Sequence, residues 1–226
     1  MDKTTLALFV HELRNQCIYT EAAFRVFNQS LEQNITAGAF FGAQATLLQA
    51  SQIASLLWPN RARAKARGAS LREVLKLPEK HPLNDRRLCS IWEHGDEKFE
   101  DWVGETKGEQ IVFDHLGPIQ PFLDNGVKDG SVYRLYDPST QIFHFRGDGY
   151  KMQAIADAIS DIFTRVTSVH MQMFPDQHNK PETADALPMA KTKASKPKAK
   201  AKPKAKAAAK PKAKAAPKKK ASPKKK

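Results

Sequence analysis

From residue 191 to the C-terminus the chain uses only Lys, Ala, Pro, Ser and Thr, so this stretch offers no large apolar side chain to a core. Nothing in it can offset the entropy of ordering the backbone. Prolines at 197, 203, 211, 217 and 223 bias it toward extended conformations. Any fold must therefore be built upstream. The same stretch carries 17 lysines, no arginine and no acidic residue. Of the chain's 37 basic and 24 acidic side chains, residues 1–190 keep 20 basic against all 24 acidic, a net charge of −4. The pI near 9.7 thus belongs to the arm and not to the fold.

The body, residues 1–174, is long enough for one domain with its own core. Its two cysteines, Cys17 and Cys89, stand in no CxxC or Cys/His cluster, which implies neither a disulfide framework nor a metal site and points to a reducing compartment. Met1-Asp2-Lys3 runs directly into an amphipathic pattern, unlike a signal peptide. The most apolar stretch, 37–58, is interrupted by Gln44, Gln49, Ser51, Gln52 and Ser55. A span needs about 20 predominantly apolar residues, so a buried helix is expected and no membrane partner. Phosphate-binding loops, GxGxxG, HExxH and GxSxG are absent, and no cofactor is implied.

Apolar positions at helical spacing (Leu6, Val10, Leu13, Cys17, Phe24, Phe27, Leu31) predict a helix over 3–32 capped by Asp2. A second helix is expected over 36–57, its Gly38, Ala39, Gly42, Ala43 and Ala45 permitting close antiparallel packing before Trp58-Pro59 stops it. The run 60–68 holds Arg61, Arg63, Lys65 and Arg67 and ends at Gly68, read as a helix stop. It is either a secondary phosphate-contacting patch or a solvated helix end favoured by the dipole. Helices over 70–77 and 84–103 follow, the latter with Leu88, Ile91, Trp92, Phe99 and Trp102 inward. Residues 105–130 read as loop, with a short strand at 111–113. A hairpin is expected over 132–146, turning at Asp137-Pro138-Ser139-Thr140. Alternation groups Tyr133, Leu135, Phe143 and Phe145 on one face and Arg134, His144 and Arg146 on the other, where Arg134 and Arg146 extend the secondary basic patch or simply meet solvent. A last helix covers 151–173. His11, Glu12 and Arg14 on the first helix are expected to be solvated.

In the arm, Lys191, Lys193, Lys196, Lys198, Lys200, Lys202, Lys204, Lys206, Lys210, Lys212, Lys214, Lys218, Lys219, Lys220, Lys224, Lys225 and Lys226 are the expected nucleic-acid contacts. Each lysine at a phosphate releases condensed counterions, with a log–log salt slope of about −0.9 per contact on B-DNA. Ammonium groups lack the fork with which arginine reads guanine, and no aromatic residue is present to stack on bases. Binding to the backbone without sequence choice follows, to duplex DNA first and RNA as the alternative.

The run KPKAKAKPKAKAAAKPKAKAAPKKK resembles the C-terminal tails of linker histones and of lysine-rich, histone-like nucleoid proteins. Ser222-Pro223-Lys224-Lys225 is similar to the SPKK element of histone tails, which there is associated with AT-rich minor grooves and with phosphorylation. The resemblance covers the arm alone. The stretch NDRRLCSIWEHGDEKFEDWV, with Arg87-x6-His94 followed by acidic residues, resembles the Arg-x4-6-His signature of the HEPN superfamily of all-helical proteins. Many of these are metal-independent ribonucleases that act as dimers. Leu88 departs from that pattern, which favours a polar residue after the arginine. On one continuous helix the two side chains would share a face about 10 Å apart. The resemblance implies that Arg87 stabilises transition-state charge and that His94 transfers the proton.

The expected architecture is mainly α: a bundle of four to five helices with one β-hairpin, a linker over 175–190 and a disordered lysine-, alanine- and proline-rich tail over 191–226. The expected function is sequence-independent nucleic-acid binding by the tail, with the helical body binding a partner or forming a homodimer. A metal-independent ribonuclease using Arg87 and His94 is the alternative. Cytoplasmic, nucleoid-associated placement is expected, or nuclear in a eukaryote.

Overall fold

The computed structural model describes residues 1–178. The arm with its candidate lysines, and the linker beyond residue 178, lie outside them. The fold is mainly α, with five helices of ten or more residues and a small four-stranded sheet.

Helix α1 (Lys3–Glu32) starts where the Asp2 carboxylate accepts the Thr5 N–H at 2.9 Å, satisfying one of the unpaired donors of the first turn. Its stripe Val10, Leu13, Cys17, Phe24 and Phe27 is buried. Helix α2 (Thr36–Leu57) returns antiparallel after a three-residue turn and contains no charged residue. The contact between them is close because Gly42 lies on Phe27. A Cβ there would stand 2.5 Å from the Phe27 nitrogen and 2.6 Å from its Cα. Backbone atoms cannot yield, so Gly42→Ala must push the helices apart. The alanine gains about 1 kcal/mol in helix propensity, but the strain and lost packing outweigh it. A net loss of about 2 kcal/mol is expected, read as a lower urea midpoint at unchanged m-value.

Helix α3 (Lys65–Val74) begins and ends earlier than the 70–77 expected, and Gly68 is inside it rather than a stop. Its missing side chain is what Pro59 and the Leu57 carbonyl require, since a Cβ would meet them at 2.5 and 2.7 Å. Helix α7 (Met152–Met173) closes the helical layer, burying Ile155, Ile159, Ile162 and Val166.

The single helix expected over 84–103 is broken in two, α4 (Arg86–Cys89) and α5 (Gly95–Glu105). His94 between them is left-handed, at φ 52° and ψ 48°. The second helix gains a new N-terminus with Asp96 and Glu97 in its first turn, where carboxylates are favoured by the dipole.

Residues 105–130 are mostly loop, but contain strand β1 (His115–Leu116) and the short helix α6 (Gln120–Asp124). Strands β2 (Arg134–Asp137), β3 (Ile142–Phe145) and β4 (Asp148–Lys151) complete a sheet of order β1-β2-β3-β4, parallel only at β1–β2. The expected hairpin is present with a corrected register. Leu135 pairs with His144 and Tyr136 with Phe143, one residue away from the grouping that alternation suggested. Asp137 belongs to the strand, and its carboxylate accepts the Ser139 N–H at 2.8 Å, the Ser139 hydroxyl at 2.6 Å and the Ile119 N–H at 3.3 Å, which pins the turn one residue later. A one-residue slip exchanges the faces. Tyr136 and Phe143 therefore enter the main core, where Tyr136 meets Phe27 edge-on at 4.9 Å. Leu135 instead joins a second cluster with Val112, Ile119, Val127 and Val132. Arg134 and His144 end on opposite faces rather than on a common one. A helical turn, α8 (Pro175–His178), occupies the start of the expected linker.

Candidate functional site

The residues singled out by the Arg-x6-His pattern meet at the α4–α5 joint. Asp85 caps α4 by accepting the Arg87 N–H at 2.9 Å, and the Arg87 guanidinium returns to the same carboxylate at 2.8 Å. That pairing holds the Asp85 carboxyl below its usual range. A further contact reaches Asp148 on β4 at 3.3 Å. His94 is on the far side of the break, with 71 % of its side chain exposed and Glu97 at 3.3 Å as its partner. The shared helical face on which the pairing of Arg87 and His94 rested is absent, and no hydrogen bond or ion pair among the described residues joins them.

What holds the joint open is Arg146, a residue expected on a hairpin face. It follows β3 with φ 52°, lies over the Phe145 ring at 4.5 Å, and donates to the Ile91 carbonyl at 3.0 Å and the Gly95 carbonyl at 3.2 Å. The Lys98 ammonium similarly donates to the Ser90 carbonyl. The Ile91 carbonyl thereby gains the donor that the break in the helix removes, while the Ser90 carbonyl, which also accepts the Glu93 N–H, and the Gly95 carbonyl at the start of α5 gain a second, charged donor. Arg146→Ala is expected to cost about 2 kcal/mol by leaving the Ile91 carbonyl unpaired and removing the guanidinium from the Phe145 ring, measured by denaturant unfolding.

Between this joint and β3–β4 lies a cleft of about 300 Å³ lined by Arg87, Lys98, Asp101, Trp102, Glu105, Arg146 and Tyr150, among others. Of these, the sequence patterns single out Arg87 and Arg146 as site residues and Trp102 as core. Strand β4 was legible only as Gly147-Asp148-Gly149, a turn-like run that hides the alternation which brings Tyr150 inward.

The secondary basic patch does not assemble into one surface. Arg61, Arg63 and Lys65 are exposed around a 3-10 turn at Ala62–Ala64. Arg67 turns inward, donating to the Ser55 carbonyl at 3.0 Å and lying over Phe9 at 5.2 Å. Arg134 pairs with Asp114 at 2.5 Å and lies over Tyr133 at 5.1 Å.

A second polar pairing escaped the sequence patterns. His11, expected in solvent, is half-buried, and its Nδ1 is 2.9 Å from Nε2 of His170, which is 1 % exposed. One ring donates and the other accepts, which ties α1 to α7. Arg14 is half-buried as well, 5.9 Å from the Phe163 ring, while Glu12 remains exposed.

Two further histidines give the body a pH response. Burial lowers the pKa of His144 and of His81 from the ordinary 6.5. Depressed folded values mean that the unfolded chain takes up protons first as pH falls. Stability is complete above 6.5 and drains away as pH descends through the folded values. The melting temperature is expected to be lower at about pH 5.5 than at about pH 7.5, with a weaker dependence in His144→Gln.

Comparison with known families, characterised proteins and solved structures finds no match. Among the described residues no helix is long and apolar enough to cross a membrane.

Proposed function

We propose that the protein binds nucleic acid through its phosphates by means of the lysines of residues 191–226, without reading base sequence, and that the body supplies the specific contacts to a protein partner. The observation that carries this reading is the segregation of charge: 17 lysines without one acidic residue in the arm, against a net −4 upstream. The surface of the body supports it. Helix α5 exposes Asp96, Glu97, Glu100, Asp101 and Glu105, a face that repels phosphate. Of the six cations in the secondary patch, Arg67, Arg134 and Arg146 are held by contacts within the fold, and Arg61, Arg63 and Lys65 are exposed with no hydrogen bond or ion pair to another described residue. Placement on the nucleoid, or on chromatin in a eukaryotic cell, is part of the same proposal, and so is the likeness of the arm to histone tails.

The partner proposed for the body is a second copy. Phe41 and Leu48 are exposed on α2, at 65 % and 38 %, and that helix carries no charge to oppose its own like across a two-fold axis. Two arms on one particle would raise duplex affinity through effective concentration. Sedimentation of the full chain tests the dimer.

Affinity for random-sequence duplex, measured across a range of salt, tests the arm. A steep negative log–log slope is expected, with little difference between unrelated sequences. Salt-independent binding, or strong preference for one sequence, would sink the proposal. Parallel titration of double-stranded RNA decides between the two nucleic acids.

A further inference from the structure

The charges of the body are unevenly spread along the chain. From Gln33 to Arg72 there is no acidic residue, while Arg61, Arg63, Lys65, Arg67 and Arg72 give that stretch a net charge of +5. The rest of residues 1–190 holds 15 basic against 24 acidic side chains, a net charge of −9. A body that is acidic as a whole therefore has one basic segment, and all five of its cations fall between 61 and 72.

The fold sorts these five by what they touch. Arg72 is paired with Glu79 at 3.1 Å and donates to the Leu57 carbonyl. Arg67 donates to the Ser55 carbonyl at 3.0 Å, a bond that holds the turn against the end of α2 and leaves the guanidinium charge in place. Arg61, Arg63 and Lys65 are exposed and form no ion pair with another described residue. Duplex carries one negative charge for about every 1.7 Å of its axis, so three long cationic side chains on one turn can meet several phosphates at once. Two of the three are arginines, whose fork binds a phosphate through two donors. The arm, with lysine as its only cation, has no such group.

The place of this turn in the fold is a separate observation. Arg67 lies over the Phe9 ring at 5.2 Å, which ties the turn to α1. Two residues further on, His11 meets the Phe174 ring at 5.8 Å and bonds to His170, in the last turn of α7, at 2.9 Å. Phe9 and His11 are about 3 Å apart along the axis of α1. The basic turn and the end of α7 therefore rest at one level of the first helix, where the body ends and the sequence continues toward its lysines.

We infer that Arg61, Arg63 and Lys65 form the body's own contact to the phosphate backbone of duplex nucleic acid. This rests on the proposed binding by residues 191–226. A polyanion held by the chain's own C-terminal segment is present at high effective concentration, so the turn needs little affinity by itself. The test uses the full chain and a random-sequence duplex, with binding isotherms across a salt series. Arg61→Gln, Arg63→Gln and Lys65→Gln together should flatten the log–log slope by about 2.7, at about 0.9 per contact. On going from about 200 to about 50 mM salt, the wild type should then gain roughly fortyfold more affinity than the variant. The three side chains are exposed, so the thermal melt should not move. Lys76→Gln, Lys107→Gln and Lys151→Gln together remove the same charge from exposed positions elsewhere and should leave the slope as it was. Equal flattening by both triple variants would mean an effect of net charge alone and overturn the assignment. A steep slope unchanged by the first variant would overturn it too, with binding by the arm left standing. A wild type without salt-dependent binding would sink both. If the first variant instead lost binding to vesicles of phosphatidylglycerol and kept its duplex slope, the turn would be a membrane contact and the assignment to duplex would fall.

Discussion

Truncation after Ala190 is expected to abolish measurable binding to duplex at moderate salt while leaving the body folded. An arm that engages about six phosphates loses roughly a thousandfold in affinity between about 50 and 200 mM salt. The shortened chain has no comparable slope to lose, because its net charge is −4 and its exposed α5 face repels the polyanion. The measurement is a salt series of binding isotherms for both chains, with a thermal melt to show that the body is intact. Retained affinity with an unchanged slope in the truncated chain would move the interface to the body, with Arg61, Arg63 and Lys65 the first residues to test. Graded shortening adds resolution. Each lysine that truly meets a phosphate should flatten the slope by about 0.9, so the slope counts contacts in a segment where composition alone cannot say which lysines bind.

The second large effect is structural. Phe27→Ala is expected to destabilise the body by about 3–5 kcal/mol, a large share of the 5–15 kcal/mol available to an ordinary domain. Phe27 is 0 % exposed and is shared by three parts of the fold. Its backbone receives Gly42 of α2, its ring meets Tyr136 of β2 edge-on, and Phe24 lies 5.8 Å away. Removing the ring leaves a cavity where helices and sheet meet, and neither layer can close it alone. Urea unfolding gives the number. A loss below about 1 kcal/mol would show that the site collapses around the alanine.

The parts of this fold legible in the sequence are those set by local periodicity. Helices α1, α2 and α7 repeat apolar residues over five or more turns, and each begins and ends within a residue of expectation. The parts that were not legible are decided by distant residues. Within 84–103 the break at His94 is marked by no more than the single Gly95, because Arg146, some fifty residues on, supplies donors for carbonyls at the joint. The hairpin register depends on Ile119 reaching Asp137 from a loop. Arg67 and Arg134 look like surface cations in the sequence, and only their neighbours reveal that they are engaged within the fold. The candidate site suffered in the same way. The spacing of Arg87 and His94 means something on one continuous helix and nothing across a break, whereas Arg87 and Asp148 meet only because β4 lies beside α4.

The closure of α1 by α7 has a temporal side. The α1–α2 hairpin is complete once Leu57 has been made, but α7, which also packs on α1, starts only at Met152. During synthesis at ordinary rates, the apolar surface awaiting that helix stays uncovered for on the order of ten seconds. A nascent chain stalled anywhere in that interval carries sticky surface without the lysines of residues 191–226, since they are encoded after α7. The protein therefore completes its core before its lysine run is made, and the early hairpin stays uncovered until α7 arrives.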